Sequence, residues 1–227
     1  MEDSYSTELD SYERVLDILD VPDVPAATVR NLDAETLYYL SEVERFERGK
    51  AEEEASSAGA RVFTFYGPVT GTSVYTCMQA LGHWARRDTQ EPIKVIFASG
   101  GGSVYDGFAL YDFLREISAS GSPVETVALG FALSMGAILL QAGDHRVIGR
   151  NAYLMIHGIS FETEGDLVRY AEVASRAQEL QDRCITILSQ RSKLSERQIK
   201  KQWKVKRDGW WLNAEEALSA GLVDEVR

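Results

Sequence analysis

Three stretches of this 227-residue chain set chemically capable residues beside turns. The first is Gly-Phe-Ala-Leu-Ser-Met-Gly-Ala (130–137), where an apolar run from Val124 ends at Ser134 and small residues follow. A serine at a strand-to-helix turn holds its hydroxyl near the unpaired N–H groups of a helix amino terminus. Gly136 and Ala137 leave room for a substrate backbone. The logic is that of a nucleophile elbow, although the GxSxG pattern is absent. The competing reading is a plain helix cap. The second stretch is Ser-Gly-Gly-Gly-Ser (99–103), whose glycines Gly100, Gly101 and Gly102 permit positive φ and a concavity of backbone amides that accepts an anion. It lacks the lysine of a phosphate loop and the spacing of a dinucleotide fingerprint. The third is His157, at the end of Tyr-Leu-Met-Ile-His-Gly (153–158). A satisfied core histidine is the alternative there, but catalytic groups of α/β proteins collect at strand ends. His83 and His145 have no comparable company. A serine hydroxyl is a weak nucleophile until a neighbouring base takes its proton, so Ser134 and His157 would matter as a pair.

The elements that must position these residues alternate. Val62–Tyr66, Ile93–Ala98, Val124–Leu129, Tyr153–Ile156 and Leu222–Val226 read as strands from their β-branched and apolar runs and the turn residues that bound them. A helix capped by Thr72 or Ser73 presents Val74, Met78, Leu81 and Ala85 on one face. A second spans about Val104–Ile117, and Gly130 is expected to turn the chain before a third that starts near Ser134. A long helix covers about Glu164–Gln190, with Leu167, Tyr170, Ala174, Ala177, Gln181, Cys184 and Ile187 near heptad spacing. That stripe is either a packing seam or a face buried in its own domain. A shorter helix lies near Ser195–Lys204. Asn213 with Glu216 forms a capping signal, and Gly221 a stop. Alternation of this kind specifies an α/β body.

Charge divides the chain. Residues 1–60 hold 16 acidic and 5 basic side chains, while the remainder holds 19 of each, so the whole net charge of −11 sits on the first quarter. We read residues 1–60 as an acidic extension, with a helical pattern between Asp33 and Lys50 and a solvated linker at 52–60. Residues 61–227 form the folded domain. An acidic segment repels phosphates, and the body carries no basic stripe with interleaved aromatics, so nucleic acid is not an expected partner. The apolar run Val127–Gly143 approaches a membrane span in length, but Gly130, Ser134 and Gly136 interrupt it and Asp144 bounds it closely. A buried strand entering a buried helix is the better reading. The amino terminus does not resemble a secretory signal. Cys77 and Cys184 have no metal-binding or redox spacing, which suits reduced thiols and a cytoplasmic location.

Taken together and in order, these pieces resemble the ClpP family of serine peptidases, the proteolytic subunits of ATP-dependent Clp proteases. The similarity runs from about Val62 to Val226. It rests on Phe-Tyr-Gly-Pro-Val (65–69), Ala-Ser-Gly-Gly-Gly-Ser-Val-Tyr-Asp-Gly (98–107), Ala-Leu-Tyr-Asp (109–112), Leu-Ser-Met-Gly-Ala with Leu-Leu-Gln-Ala-Gly (133–143), Met-Ile-His (155–157) and Asn-Ala-Glu-Glu-Ala-Leu-Ser-Ala-Gly-Leu-Val-Asp-Glu-Val (213–226). The resemblance implies a ClpP/crotonase-like fold of repeated ββα units. It also implies heptameric rings stacked as a tetradecamer, feeding by an AAA+ unfoldase, and peptide and unfolded-protein substrates. It makes Ser134 the nucleophile and His157 the general base. The N–H groups of Gly102 and Met135 would form the oxyanion hole, with Gly101 beside them. Neither metal nor cofactor is implied.

Two departures bear on this. The family carries an aspartate shortly before its aromatic–Leu–x–Ala–Glu–Glu stretch. Anchoring on Leu-Asn-Ala-Glu-Glu (212–216) puts Gly209 there and Asp208 one residue upstream. Asp208 is thus the candidate third member of a triad, with no acid, or a different one, as the alternative. After Met-Ile-His, the family's Gln-Pro and glycine-rich strand are replaced by the shorter, acidic Gly-Ile-Ser-Phe-Glu-Thr-Glu (158–164). That strand borders the substrate groove and interlocks the rings. The competing functions are a silent or specialised ring subunit, including a relative of viral capsid-maturation proteases, and a crotonase-like acyl-CoA enzyme.

Overall fold

The computed structural model describes residues 61–87, 91–205 and 209–227. The expected acidic extension, its helix and its linker therefore lie outside the described residues, as does Asp208.

The strands β1 (Val62–Tyr66), β2 (Ile93–Ser99), β3 (Val124–Leu133), β4 (His145–Ile148) and β7 (Glu225–Val226) lie side by side in the order β1-β2-β3-β4-β7, all parallel. Crossover helices α1 (Gly71–Arg87) and α2 (Val104–Ala119) connect β1 to β2 and β2 to β3, as parallel neighbours require. In β2 alternate residues are buried, so Ile93, Val95 and Phe97 enter the core together. α1 turns Val74, Cys77 and Leu81 toward the same core. Thr70 Oγ1 accepts from Ser73 N–H at 3.2 Å at its start, so Thr70 does the capping expected of Thr72 or Ser73. The α/β class read from the alternation is the class observed.

β3 differs from its expectation. Gly130 does not end the strand. The first half of β3 pairs with β4, the second half (Phe131–Leu133) pairs with β5 (Tyr153–Ile156), and the register against β2 jumps between Phe97 and Ser99. With φ at +69°, Gly130 kinks a strand that then finds a new neighbour. β5 in turn pairs antiparallel with β6 (Trp210–Asn213). The expected strand Leu222–Val226 shortens to Glu225–Val226.

α3 (Met135–Leu140) is buried on all sides. A long α4 (Leu167–Gln190) and a shorter α5 (Glu196–Val205) follow. α6 (Ala214–Ala220) opens on a reciprocal capping box of Asn213 and Glu216, each bond 2.9 Å, and stops at Gly221 in the left-handed region, as the sequence specified. In α4, Leu180, Cys184, Ile185 and Leu188 are buried, whereas Leu167, Val168 and Tyr170 are exposed. Its apolar stripe is therefore core along one half and uncovered along the other. Among the described residues, no helix is long and apolar enough to cross a membrane. Cys77 and Cys184 are buried, and no disulfide joins them.

Candidate active site

Ser134 sits where β3 passes into α3, with φ 54° and ψ −120°. Among the described residues it is the only non-glycine at positive φ, a conformation that costs an L-residue about 1–3 kcal/mol. Two things hold it there. Its N–H donates to Met155 C=O at 2.7 Å, fixing it to β5. Its C=O accepts from Ala137 N–H at 3.1 Å, starting α3. Its side chain makes no capping bond, so the helix-cap reading fails. The hydroxyl instead meets His157 Nε2 at 2.8 Å. His157 directly follows β5, and β5 is the partner that the kink at Gly130 gives to the end of β3. The strand exchange therefore brings the two side chains together across 23 residues.

The glycine turn faces them. A Cβ on Gly101 would stand 2.6 Å from Ser134 Cβ and 3.0 Å from Met135 N, so the turn lies against the serine with no room for a side chain. Gly101 is at φ +93° and Gly102 at φ +149°, conformations that favour glycine. Val69 anchors this turn by donating to Gly101 C=O at 2.9 Å and accepting from Ser103 N–H at 2.8 Å. The intervening Gly102 N–H is not consumed by that bridge. Buried Ser99 accepts from Gly101 N–H at 3.2 Å. Met135 N–H is first in α3, where a helix offers no acceptor. Gly102 and Met135 line the same pocket as the Ser134 hydroxyl and His157, a set of groups with the chemistry to attack a carbonyl and stabilise the resulting oxyanion.

α3 must also be held, and its buried carboxyl end is well provided for. Thr126 Oγ1 donates to Leu140 C=O at 2.7 Å, Arg191 Nε to Gln141 C=O at 3.1 Å, and Arg115 Nη1 to Ala142 C=O at 3.0 Å. Arg191 also donates to Gly143 C=O. Cationic donors at this end complement the helix dipole. Arg146 adds a second tie, with Nη1 on Gln141 Oε1 at 2.8 Å and a two-point bond to Asp224 at 2.6 and 2.9 Å.

Residues 54–227 match the Clp protease family. The chain belongs to the Clp protease family. An ATP-dependent Clp protease proteolytic subunit of Deinococcus radiodurans is 35% identical over 144 residues, which is 61% of this chain and 68% of that protein. The chain is accordingly a ClpP-like protease, and its parallel sheet with flanking helices is consistent with the ClpP fold.

Within this Clp-family site, Ser134, His157, Gly101, Gly102 and Met135 come together, while Asp208 lies outside the described residues. β6 runs antiparallel to β5 with Trp210 opposite Ile156, so the chain enters β6 from the His157 end of β5. The segment 158–164, which departs in sequence from the family's glycine-rich strand, is irregular backbone. Gln181 of α4 fastens it instead, its Oε1 accepting from Ile159 N–H at 3.2 Å. A pocket opens beside Ser134 and His157, walled by Val104, Ile138, Ile159, Cys184 and Trp203. Burial pushes the Cys184 thiol up to about 12, so it stays protonated and serves as wall rather than nucleophile. Sequence reading missed Val69, Ser99, Gln181 and Trp203 as parts of the site. Gln181 stood within the heptad stripe and Ser99 within the glycine motif, but nothing local in either marked which way its side chain would turn.

Proposed function

We propose that this Clp-family protease is a serine endopeptidase subunit that hydrolyses peptide bonds through an acyl-enzyme. The observation that carries the reading is the 2.8 Å contact between Ser134 Oγ and His157 Nε2, made by a serine in a strained turn with no capping duty. In the first step His157 takes the Ser134 proton as the oxygen attacks the peptide carbonyl. The oxyanion is received by Gly102 N–H and Met135 N–H, donors of a kind worth roughly 10²–10³ in rate each. His157 then gives its proton to the leaving amine, and water repeats the sequence on the ester. Asp208, two residues before β6, is assigned to orient His157.

Residues 1–60 form a separate acidic extension of the peptidase body 61–227, and the body assembles as stacked heptameric rings in the cytoplasm, fed by an AAA+ unfoldase. The family membership and the relative's description as an ATP-dependent Clp protease proteolytic subunit support the ring assembly and the ATP-dependent partner.

A fluorophosphonate probe tests the chemistry. Ser134 should be labelled, and Ser134→Ala should lose both labelling and hydrolysis of short fluorogenic peptides. A chain that folds and assembles but is neither labelled nor active would instead be the silent ring subunit.

A further inference from the structure

The charge of residues 61–227 balances overall but not locally. Residues 196–208 carry six basic side chains, Arg197, Lys200, Lys201, Lys204, Lys206 and Arg207, against Glu196 and Asp208. The rest of 61–227 holds 13 basic and 17 acidic side chains, so this one stretch is net +4 within a surrounding −4. It lies at the candidate site. α5 buries Ile199 in the core and contributes Trp203 to the pocket beside Ser134 and His157, which leaves Arg197, Lys200 and Lys201 exposed on the rest of the helix. At 1.5 Å of rise per residue they stand within about 9 Å of Trp203 along the helix axis, inside the roughly 10 Å over which charges act at about 0.1 M salt. Lys200 is answered by Asp182 at 3.3 Å and Glu196 at 3.6 Å. Among the described residues, Arg197 and Lys201 form no ion pair. No Lys, Arg, Asp or Glu lines the pocket itself, so this charge acts on substrate residues flanking the one that enters. Another wall has the opposite sign, since exposed Glu162, Glu164 and Asp166 follow the pocket residue Ser160.

We propose that α5 makes this site select acidic polypeptides, those with aspartate or glutamate beside the residue that enters the pocket, on the side that runs along α5. The proposal rests on the serine peptidase reading, because that reading lays a substrate across the pocket. Arg197 and Lys201 are the residues that set the preference. Neither has to give up an ion pair to meet an incoming carboxylate, and a basic substrate residue is repelled by both. Where the substrate runs along 158–166, the acidic side chains there oppose a carboxylate, so the gain depends on position. The net charge of −11 on the whole chain acts against an acidic substrate everywhere. A preference for one therefore has the sign of the local field and not of the protein as a whole.

The test scans aspartate against its neutral isostere asparagine through the three residues on each side of the cleaved bond in fluorogenic peptides, and compares kcat/KM. At about 10 mM salt, where screening reaches roughly 30 Å, the aspartate peptide should be favoured about two- to fivefold at one or more positions. At about 1 M salt, where screening is roughly 3 Å, the ratio should fall toward one. Arg197→Gln with Lys201→Gln should abolish the preference at low salt and leave the asparagine peptides cleaved as before, and Arg197→Glu with Lys201→Glu should reverse it. Equal or slower cleavage of every aspartate peptide by the unmodified protein, or a preference that survives the glutamine pair, would overturn the proposal. Equilibrium binding of the same peptides to Ser134→Ala, with and without the glutamine pair, reads the ratio without turnover. Absence of hydrolysis then counts against the peptidase reading alone, and absence of an aspartate preference in binding counts against this one. Circular dichroism of the paired variants separates a lost preference from a lost fold.

Discussion

Ser134 pays for its position with backbone strain, and its neighbours show why the strain persists. The Met155 carbonyl on one side and the start of α3 on the other fix its φ and ψ, and the glycine turn leaves no space for it to relax into. In the mechanism proposed above His157 turns this rigidity into chemistry, so whatever orients His157 would set the rate. We assign that role to Asp208. Asp208→Asn should therefore lower kcat for short peptides by roughly 10²–10⁴ while KM changes little, the behaviour of a lost orienting carboxylate. The fluorophosphonate labelling rate should fall in parallel, because it depends on the same activated hydroxyl. Labelling at the unmodified rate in Asp208→Asn would show that another group orients the imidazole.

At the scale of elements, much of the site was legible because the sequence marks turns more clearly than it marks neighbours. Ser134, the triple glycine and His157 all stand at strand ends, and each was found there. What the sequence did not show was the pairing. Gly130 was read as a stop because glycine usually interrupts a strand, yet the strand continues once β5 is available to it. His145–Ile148 and Trp210–Asn213 were not read as strands, since four residues beside glycine or within a charged stretch give little periodicity. The anchoring of α3 was equally hidden, because its arginines come from α2, β4 and the end of α4. That anchoring carries a pH prediction. Burial raises the Asp224 carboxyl, but hydrogen bonds from the Arg146 side chain and backbone outweigh it and hold the group below its ordinary 3.8. Its folded value is the lower one, so the stability it contributes is complete above that ordinary value and is lost as pH falls through the folded value. Asp224→Asn leaves the Arg146 guanidinium, only 8% exposed, without its carboxylate. Discounted for the partly open aspartate, the cost should be about 2–3 kcal/mol near neutrality. In urea unfolding the gap between unmodified and variant protein should be full at about pH 7 and narrow below about pH 3.8. A gap independent of pH would mean that Asp224 acts by packing alone.

At the scale of the molecule, α4 is a helix that its own domain only half uses. Its buried residues begin at Leu180, while Leu167 is 84% exposed, Val168 66% and Tyr170 47%, with Phe161 exposed just before the helix. The uncovered half is about a dozen residues long, a length at which an isolated helix is marginal in water. Side chains of this kind gain nothing from projecting into solvent, and together they form the sort of apolar patch that marks an interface. We propose a second copy of this chain as the occupant, in keeping with the stacked rings proposed above, and the irregular segment after His157, tied to α4 by Gln181, would link that contact to His157. Leu167→Asp with Val168→Asp places two carboxylates on the patch without touching the core half of the helix. Mass photometry should then show smaller particles than the unmodified protein forms. Hydrogen exchange should quicken in the first half of α4 and stay slow beyond Leu180. Peptide hydrolysis should fall with assembly, because the segment beside His157 loses its outer support. An unchanged particle size would place the contact between copies elsewhere on the protein.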